Sequence, residues 1–206
     1  MTPRADLSAE ERLKALLGGQ QQTETLLDLD ERRRHDGPSA ELRLASVLVL
    51  LERVPGWSVV FTKRTQSVEH HKGEISFVGG MGDPGDAGAA STALREAHEE
   101  LGIEPAAVTV LGQLPNLVTV TNFLVTPVVG ALDSGYDYRP NPGEVERVLR
   151  VPLPYLRDPA HWFEEDRHWN GRTYRLRSCR YGQDVIWGAT SRMLQSFLAV
   201  LPPDLP

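Results

Sequence analysis

The stretch Gly79-Gly80-Met81-Gly82-Asp83-Pro84-Gly85-Asp86, followed by Ala93-Leu94-Arg95-Glu96-Ala97-His98-Glu99-Glu100-Leu101-Gly102-Ile103, decides how the chain is read. Its second part is helical by pattern. Ala90, Ala93, Leu94, Ala97 and Leu101 recur at three- and four-residue steps, so one side packs inward. The spacing predicts a helix over 89–101, closed by Gly102. Glu96, Glu99 and Glu100 fall on a neighbouring side, where residues three and four apart hold their Cβ atoms roughly 5–6 Å from each other. Glu96 and Glu100 are then a like-charge pair, which destabilises an isolated helix. A divalent cation removes that objection, because hard cations take several carboxylate oxygens. Arg95, four residues before Glu99, can orient it. The plain alternative is a solvated acidic face, since Glu is a good helix former. The glycine-rich loop directly before the helix weighs against it: Gly79, Gly80, Gly82 and Gly85 let backbone approach a metal or phosphate closely.

Outward from this segment, Ala45 to Leu51 and Trp57 to Thr62 read as strands around the turn Pro55-Gly56. The glycine-rich loop is expected over 79–88. Val108 to Gln113, Leu124 to Val129 and Val145 to Val151 read as further strands, the last ended by Pro152 and Pro154. Trp162 and Tyr174 to Arg177 suggest a hairpin around Asn170-Gly171. Val185 to Leu201 reads as a terminal helix. Near the start, 7–17 reads as a short helix with Leu13, Leu16 and Leu17 on one face, stopped by Gly18-Gly19. The expected organisation is an N-terminal helix and linker over 1–38 and a main domain over 39–206. The fold class is α+β, a mixed sheet packed between helices.

Composition bounds the partners. With 206 residues, 40% hydrophobic and 24% charged, the chain can bury a core without staples. A net charge of −6 gives no reason to expect a nucleic acid as partner. Arg32-Arg33-Arg34 is surrounded by Asp28, Asp30, Glu31 and Asp36 and reads as a solvated linker. The single cysteine, Cys179, excludes an internal disulfide and fits a reducing compartment; a packed or partly exposed thiol is the expectation for it. The longest apolar stretch is too short for a membrane span, and Met1-Thr2-Pro3-Arg4 does not open a signal peptide, so no membrane partner and a cytoplasmic location are expected. A homodimer is compatible with all of this.

Loop and helix together resemble the Nudix box: Gly, five residues, Glu, seven residues, then Arg-Glu-apolar-any-Glu-Glu-any-Gly-apolar. Arg95-Glu96 through Glu99-Glu100 to Gly102-Ile103 match fully. Asp86 stands where the box has its first Glu, and eight residues rather than seven separate it from Arg95. That lengthening is similar to the coenzyme A pyrophosphatase branch. Phe61-Thr62-Lys63-Arg64-Thr65, His71-Lys72-Gly73 through Phe77, Asn141-Pro142-Gly143-Glu144 and Ile186-Trp187-Gly188-Ala189-Thr190 also resemble that branch. Two departures stand out: Glu69 where the signature has Arg, and Val78 where it has Pro.

The resemblance implies a Nudix-like fold and metal-dependent hydrolysis of a diphosphate linkage. Coenzyme A or its derivatives would yield 3′,5′-adenosine bisphosphate and 4′-phosphopantetheine. It implies Glu96 and Glu100 as ligands of Mg²⁺ or Mn²⁺, with Glu99 a further ligand or the group that activates water, and the Gly80 carbonyl as another ligand. Glu144 is a candidate base, though an exposed loop glutamate fits equally. Arg64, Lys72 and the backbone at Gly79 are candidates for substrate phosphates, with His70 and His71 beside them. Two alternatives stay open: a pyrophosphatase of an ADP-sugar, NADH or a dinucleoside polyphosphate, and a nucleotide-sensing module that cleaves nothing.

Overall fold

The computed structural model describes residues 8–17, 23–25, 42–54, 56–65, 73–169 and 171–202. At its centre lie two long strands, β2 (Arg43–Arg53) and β8 (Phe123–Asp133), paired in parallel from Arg43↔Phe123 to Arg53↔Asp133. Both are covered on two faces, so their sequences run apolar rather than alternating. Leu48, Val49 and Leu50 are fully buried in succession. β3 (Ser58–Arg64) runs antiparallel to the far half of β2, and β9 (Val145–Pro152) pairs with β3. β4 (Ile75–Ser76) pairs with β3, and β5 (Val78–Met81) pairs with the near half of β2. On the other side, β6 (Thr109–Gln113) and β7 (Asn116–Val118) run antiparallel to β8, and β1 (Thr23–Thr25) lies parallel to β7.

This mixed sheet sits between helices, as the pattern predicted. On one face α2 (Ala89–Leu101) packs Ala93, Ala97 and Leu101 against Leu48, Leu50, Val60 and Val128. On the other face α1 (Ala9–Leu17) and α4 (Gly188–Val200) close over Val49, Leu51, Phe61 and Val129 with Leu13, Leu17, Leu194 and Phe197. A three-stranded sheet of β10 (Trp162–Trp169), β11 (Arg172–Tyr181) and β12 (Asp184–Ile186) extends that second layer, and a short helix, α3 (Leu153–Arg157), leads into it. Among the described residues, no helix is long and apolar enough to cross a membrane.

The structure corrects four local expectations. Val185 and Ile186 belong to β12, where they pair with Arg180 and Cys179; the helix begins only at Gly188, whose φ of 62° breaks the chain there. Gly79 to Met81 form a strand rather than the start of a loop, because Ser46 and Val47 offer them a ladder. Pro152 and Pro154 do not merely stop β9 but open α3, since proline is tolerated in a first helical turn. Leu16 is 49% exposed while Leu13 and Leu17, four residues apart, are buried. The rest of the 1–38 segment lies largely outside the described residues. Leu17 itself packs closely on β6, where a Cβ added to Gly112 would meet the Leu17 Cβ at 2.5 Å.

Candidate active site

The candidate site forms where β5 meets α2. Gly79 and Gly80 lie opposite Val47 and Ser46. Gly79 has φ +152°, and a Cβ there would stand 2.3 Å from the Ser46 carbonyl oxygen. At Gly80 a Cβ would stand 2.5 Å from Glu96 Oε2, so glycine alone leaves this backbone open to the helix carboxylate. The alanine face of α2 brings the helix close enough for that approach. The helix ends at Gly102, in the left-handed conformation, whose N–H donates to the His98 carbonyl, while Ile103 N–H reaches Ala97.

The segment between β8 and β9 then wraps the helix end. Arg139 N–H donates to the Leu101 carbonyl and Asn141 N–H to that of Glu100, both at 2.8 Å. Thr65 N–H, at the end of β3, donates to the Glu144 carbonyl at 2.9 Å. Residues distant in sequence thus come together around an open cavity of about 310 Å³. It is lined by Arg64, Gly79 and Gly80, by Arg95, Glu96 and Glu100 of α2, and by Glu144. Met81 and Asp83 also line it and were not expected.

Its electrostatics are dominated by carboxylates, of which Glu100 is buried and Glu96 and Glu144 are partly so. Glu100 is 3% exposed. Burial pushes its carboxyl up to about 8, against the pull of the Arg64 guanidinium and a hydrogen bond from Gly79 N–H; Glu144 and Glu96 add to the rise. Glu96 is raised too, again first by burial, with Arg95 opposing and Glu99 and Glu144 reinforcing. Arg64 has a buried Nε with no hydrogen-bond partner among the described residues. Asn141 Nδ2 donates to Glu144 Oε1 at 3.2 Å, which fixes one oxygen of that carboxylate.

Arg95 organises the other side. Its Nη1 lies 2.8 Å from Glu96 Oε1 and 3.1 Å from Glu99 Oε2, and its Nη2 donates to the Met81 carbonyl at 2.9 Å. Asp86 receives Arg95 Nε and Nη2, each at 3.2 Å, together with Thr92 Oγ1 at 2.8 Å and Asp83 N–H at 2.9 Å. These donors, Arg95 foremost, hold the Asp86 carboxyl down at about 2. Asp86 is the site residue whose partners the sequence does not show; its signal there is an acid at the box's first position. Glu99 does not line the cavity. It is 52% exposed and turned to Arg95. Lys72, His70, His71 and Glu69 lie outside the described residues.

The donor set fits a hard divalent cation. The acids are carboxylates, the nearest backbone is glycine, and no thiol stands among the cavity's residues. Among the described residues, no three His, Cys, Asp or Glu side chains converge into a ready cage. Arg95 instead spreads Glu96, Glu99 and Asp86 around its guanidinium.

A helix of this composition against a glycine strand, on one face of a mixed sheet that lies between helices, defines a class. A family model for the NUDIX domain matches residues 42–169. The chain belongs to the Nudix family, and it is a Nudix hydrolase. Curated relatives agree: "Uncharacterized Nudix hydrolase NudL" of Photorhabdus laumondii is 36% identical over 152 residues, 74% of this chain and 81% of the relative. The protein of the same name from Escherichia coli K12 is 36% identical over 153 residues, 74% of this chain and 80% of the relative. A solved MutT/nudix family protein from Enterococcus faecalis aligns over 96% of this chain and 75% of its own, with a TM-score of 0.52 and 16% identity, a likeness of fold. Hydrolases of this family generally use divalent metal ions.

Proposed function

We propose that the chain hydrolyses the diphosphate linkage of coenzyme A or its derivatives, giving 3′,5′-adenosine bisphosphate and 4′-phosphopantetheine, or acyl-phosphopantetheine from an acyl thioester, in the cytoplasm. The observation that carries this is Arg64. It belongs to the Phe61 to Thr65 segment that resembles the coenzyme A branch, it lines the same cavity as Glu96, Glu100 and Glu144, and its buried Nε has no hydrogen-bond partner among the described residues. A guanidinium there can donate to the oxygens of a diphosphate. Lys72 is proposed as a second cationic contact, with the neutral Gly79 backbone, whose N–H donates to Glu100, beside it.

Glu96, Glu100 and the Gly80 carbonyl would hold Mg²⁺ or Mn²⁺, with Glu99 reaching the same ion once it leaves Arg95. Such an ion, when bound, neutralises the diphosphate and acidifies water. The protein's own contribution is positional. Arg95 orients Glu96 and Glu99 from one side. Glu144, with Oε1 held by Asn141, keeps Oε2 to accept the proton of the attacking water. Glu99 is the other candidate for that proton. Glu100, 3% exposed, is itself withdrawn from bulk water.

Glu69, in place of the arginine of the branch signature, favours a second reading: a pyrophosphatase of another nucleoside diphosphate derivative, such as an ADP-sugar, NADH or a dinucleoside polyphosphate. Incubating the protein with each substrate and Mg²⁺ or Mn²⁺, then resolving products by chromatography, separates the two. Release of 3′,5′-adenosine bisphosphate from coenzyme A, faster than cleavage of the other diphosphates, is the expected result. Cleavage of another diphosphate alone would replace it, and cleavage of none would leave a nucleotide-sensing module.

A further inference from the structure

Glu52 stands on the central strand β2, at the end away from Gly80, and is 1% exposed. A buried carboxylate there is costly, since its desolvation is recovered only through close partners. Its Oε2 accepts from Arg150 Nε at 2.6 Å and from Tyr138 Oη at 3.2 Å, while Oε1 has no hydrogen-bond partner among the described residues. The Arg150 guanidinium also lies 4.6 Å from the centre of the Tyr138 ring. Desolvation first, and then the Glu52 charge, hold the Tyr138 hydroxyl protonated and thus a donor. None of these groups lines the cavity.

The position of the two partners in the chain gives the cluster its meaning. Tyr138 precedes Glu144 by six residues, and Arg150, on β9, follows it by six. One buried carboxylate therefore grips the chain on both sides of the segment that bears Glu144. Between them the segment is held at several points. Arg139 and Asn141 donate their N–H groups to the last carbonyls of α2, Asn141 holds the Glu144 carboxylate, and Glu144 N–H donates to the Asn141 carbonyl at 3.0 Å. Before the segment, Tyr136 Oη accepts from Glu104 N–H at 2.8 Å and donates to the Gly102 carbonyl at 3.1 Å. Residues 134–144 otherwise have no helix or strand to hold them.

The geometry points to Glu52 and Tyr138 as positioning residues for Glu144, acting through the segment that wraps the end of α2. This rests on the reading of Glu144 as the proton acceptor. The buried charge adds conformational definition here that an apolar side chain would not supply. The ring of Tyr138 packs regardless of its hydroxyl, so Tyr138→Phe removes the link to Glu52 and keeps the packing; Glu52→Gln, at the centre of the cluster, is the variant more apt to unfold.

The test uses the full chain and the diphosphate cleaved fastest in the substrate comparison. Tyr138→Phe should lower kcat about tenfold with KM within about twofold, because a loop displaced by a fraction of an ångström costs the chemical step and not binding. Hydrogen exchange at the Arg139 and Asn141 amides should quicken while that of the β2 and β8 amides stays unchanged. In a Glu144→Gln background the same substitution should cost nothing further. Unchanged kcat in Tyr138→Phe, or an equal loss in both backgrounds, overturns the inference. Wild-type turnover by Glu144→Gln alone overturns the reading of Glu144 and the inference with it, and is told apart because it appears before Tyr138 is changed.

Discussion

Helices α2 and α4 have the same length, 13 residues, and cover opposite faces of one sheet, yet they are held in different ways. α2 packs through Ala93, Ala97 and Leu101, with Thr92 and Glu100 also buried. Small side chains let its axis lie near the sheet, and the space saved is what brings Glu96 against Gly80. α4 packs through Met193, Leu194 and Phe197, which fill volume and present no titratable group to the core. One helix is built for close approach, the other for bulk. The price of the first appears in its charges, for Glu96 and Glu100 are both pushed toward the protonated form by burial. The loss expected from a substitution therefore differs by face: activity on the α2 side, stability on the α4 side.

The sharpest break is Glu100→Gln. Losing the metal ligand proposed above, with its charge, should lower kcat by at least roughly 10²–10⁴. The neutral amide relieves desolvation and repulsion from Glu144 and Glu96, so the melting temperature measured in chelator should be no lower than that of the wild type. Turnover within about tenfold of the wild type would reduce the cluster to an acidic surface. Gly80→Ala probes the same approach from the strand. Its Cβ would stand 2.5 Å from Glu96 Oε2, the movable end of a side chain, so the fold should persist while Glu96 is displaced. A fall of about 10² in kcat/KM is expected for a misplaced group, with circular dichroism unchanged.

Phe197→Ala tests the other face. Phe197 is fully buried, and truncating such a residue costs about 3–5 kcal/mol. Thermal melting should shift down strongly, while kcat/KM measured well below the melting temperature stays near wild type. A loss of activity without a loss of stability would erase the distinction between the two helices.

Asp86→Asn gives a smaller effect. It leaves Arg95 with Glu96 and Glu99 but removes its firmest anchor, so a fall in kcat of about tenfold is expected, as for a loosened supporting residue. The folded carboxyl lies near 2, below its ordinary 3.8. Its contribution to stability is thus complete above about 3.8 and disappears as the pH drops through 2. Acid unfolding followed by fluorescence should show the wild type gaining on Asp86→Asn between those limits as pH rises. Parallel acid-unfolding curves for the two proteins would show that Asp86 carries no such linkage.

Much of this is legible in the sequence. The 89–101 helix matched to the residue because its apolar period, its alanines and Gly102 all agree, and local agreement of that kind is what a sequence displays best. Arg64 and Glu144 were suspected from short segments, but their meeting with Glu100 depends on β3 pairing with β9, which no local pattern encodes. The start of α4 was misplaced because Val185 and Ile186 satisfy an apolar helical face as well as a short buried strand, and only pairing with β11 decides between them. Asp86 was seen as a deviation and not as a partner, since a loop's hydrogen bonds follow from its folded path. The Glu52 cluster left no trace in the sequence at all: a glutamate at the end of an apolar strand reads as its exposed terminus.

The smallest effect concerns Cys179, which lies on β11 under the α4 face. It is fully buried, in the same cluster as Phe197 and Leu194. Burial raises its thiol to about 11, so at neutral pH it is both covered and protonated, and a thiolate is what reacts. Native protein at pH 8 should react with an aromatic disulfide reagent far more slowly than protein in guanidinium chloride. The sign of the linkage follows from the raised value. The folded state keeps a proton that the unfolded state releases near 9, so Cys179 favours folding fully below that value and loses this contribution as the pH climbs to about 11. Labelling also reports which face opens. If the thiol is reached only when the α4 layer comes away, Phe197→Ala should speed native labelling in proportion to its loss of stability, while Glu100→Gln should leave it unchanged or slower. Equal acceleration by both would mean that the two faces of the sheet open together, and the division between a helix of approach and a helix of bulk would then be one of chemistry alone.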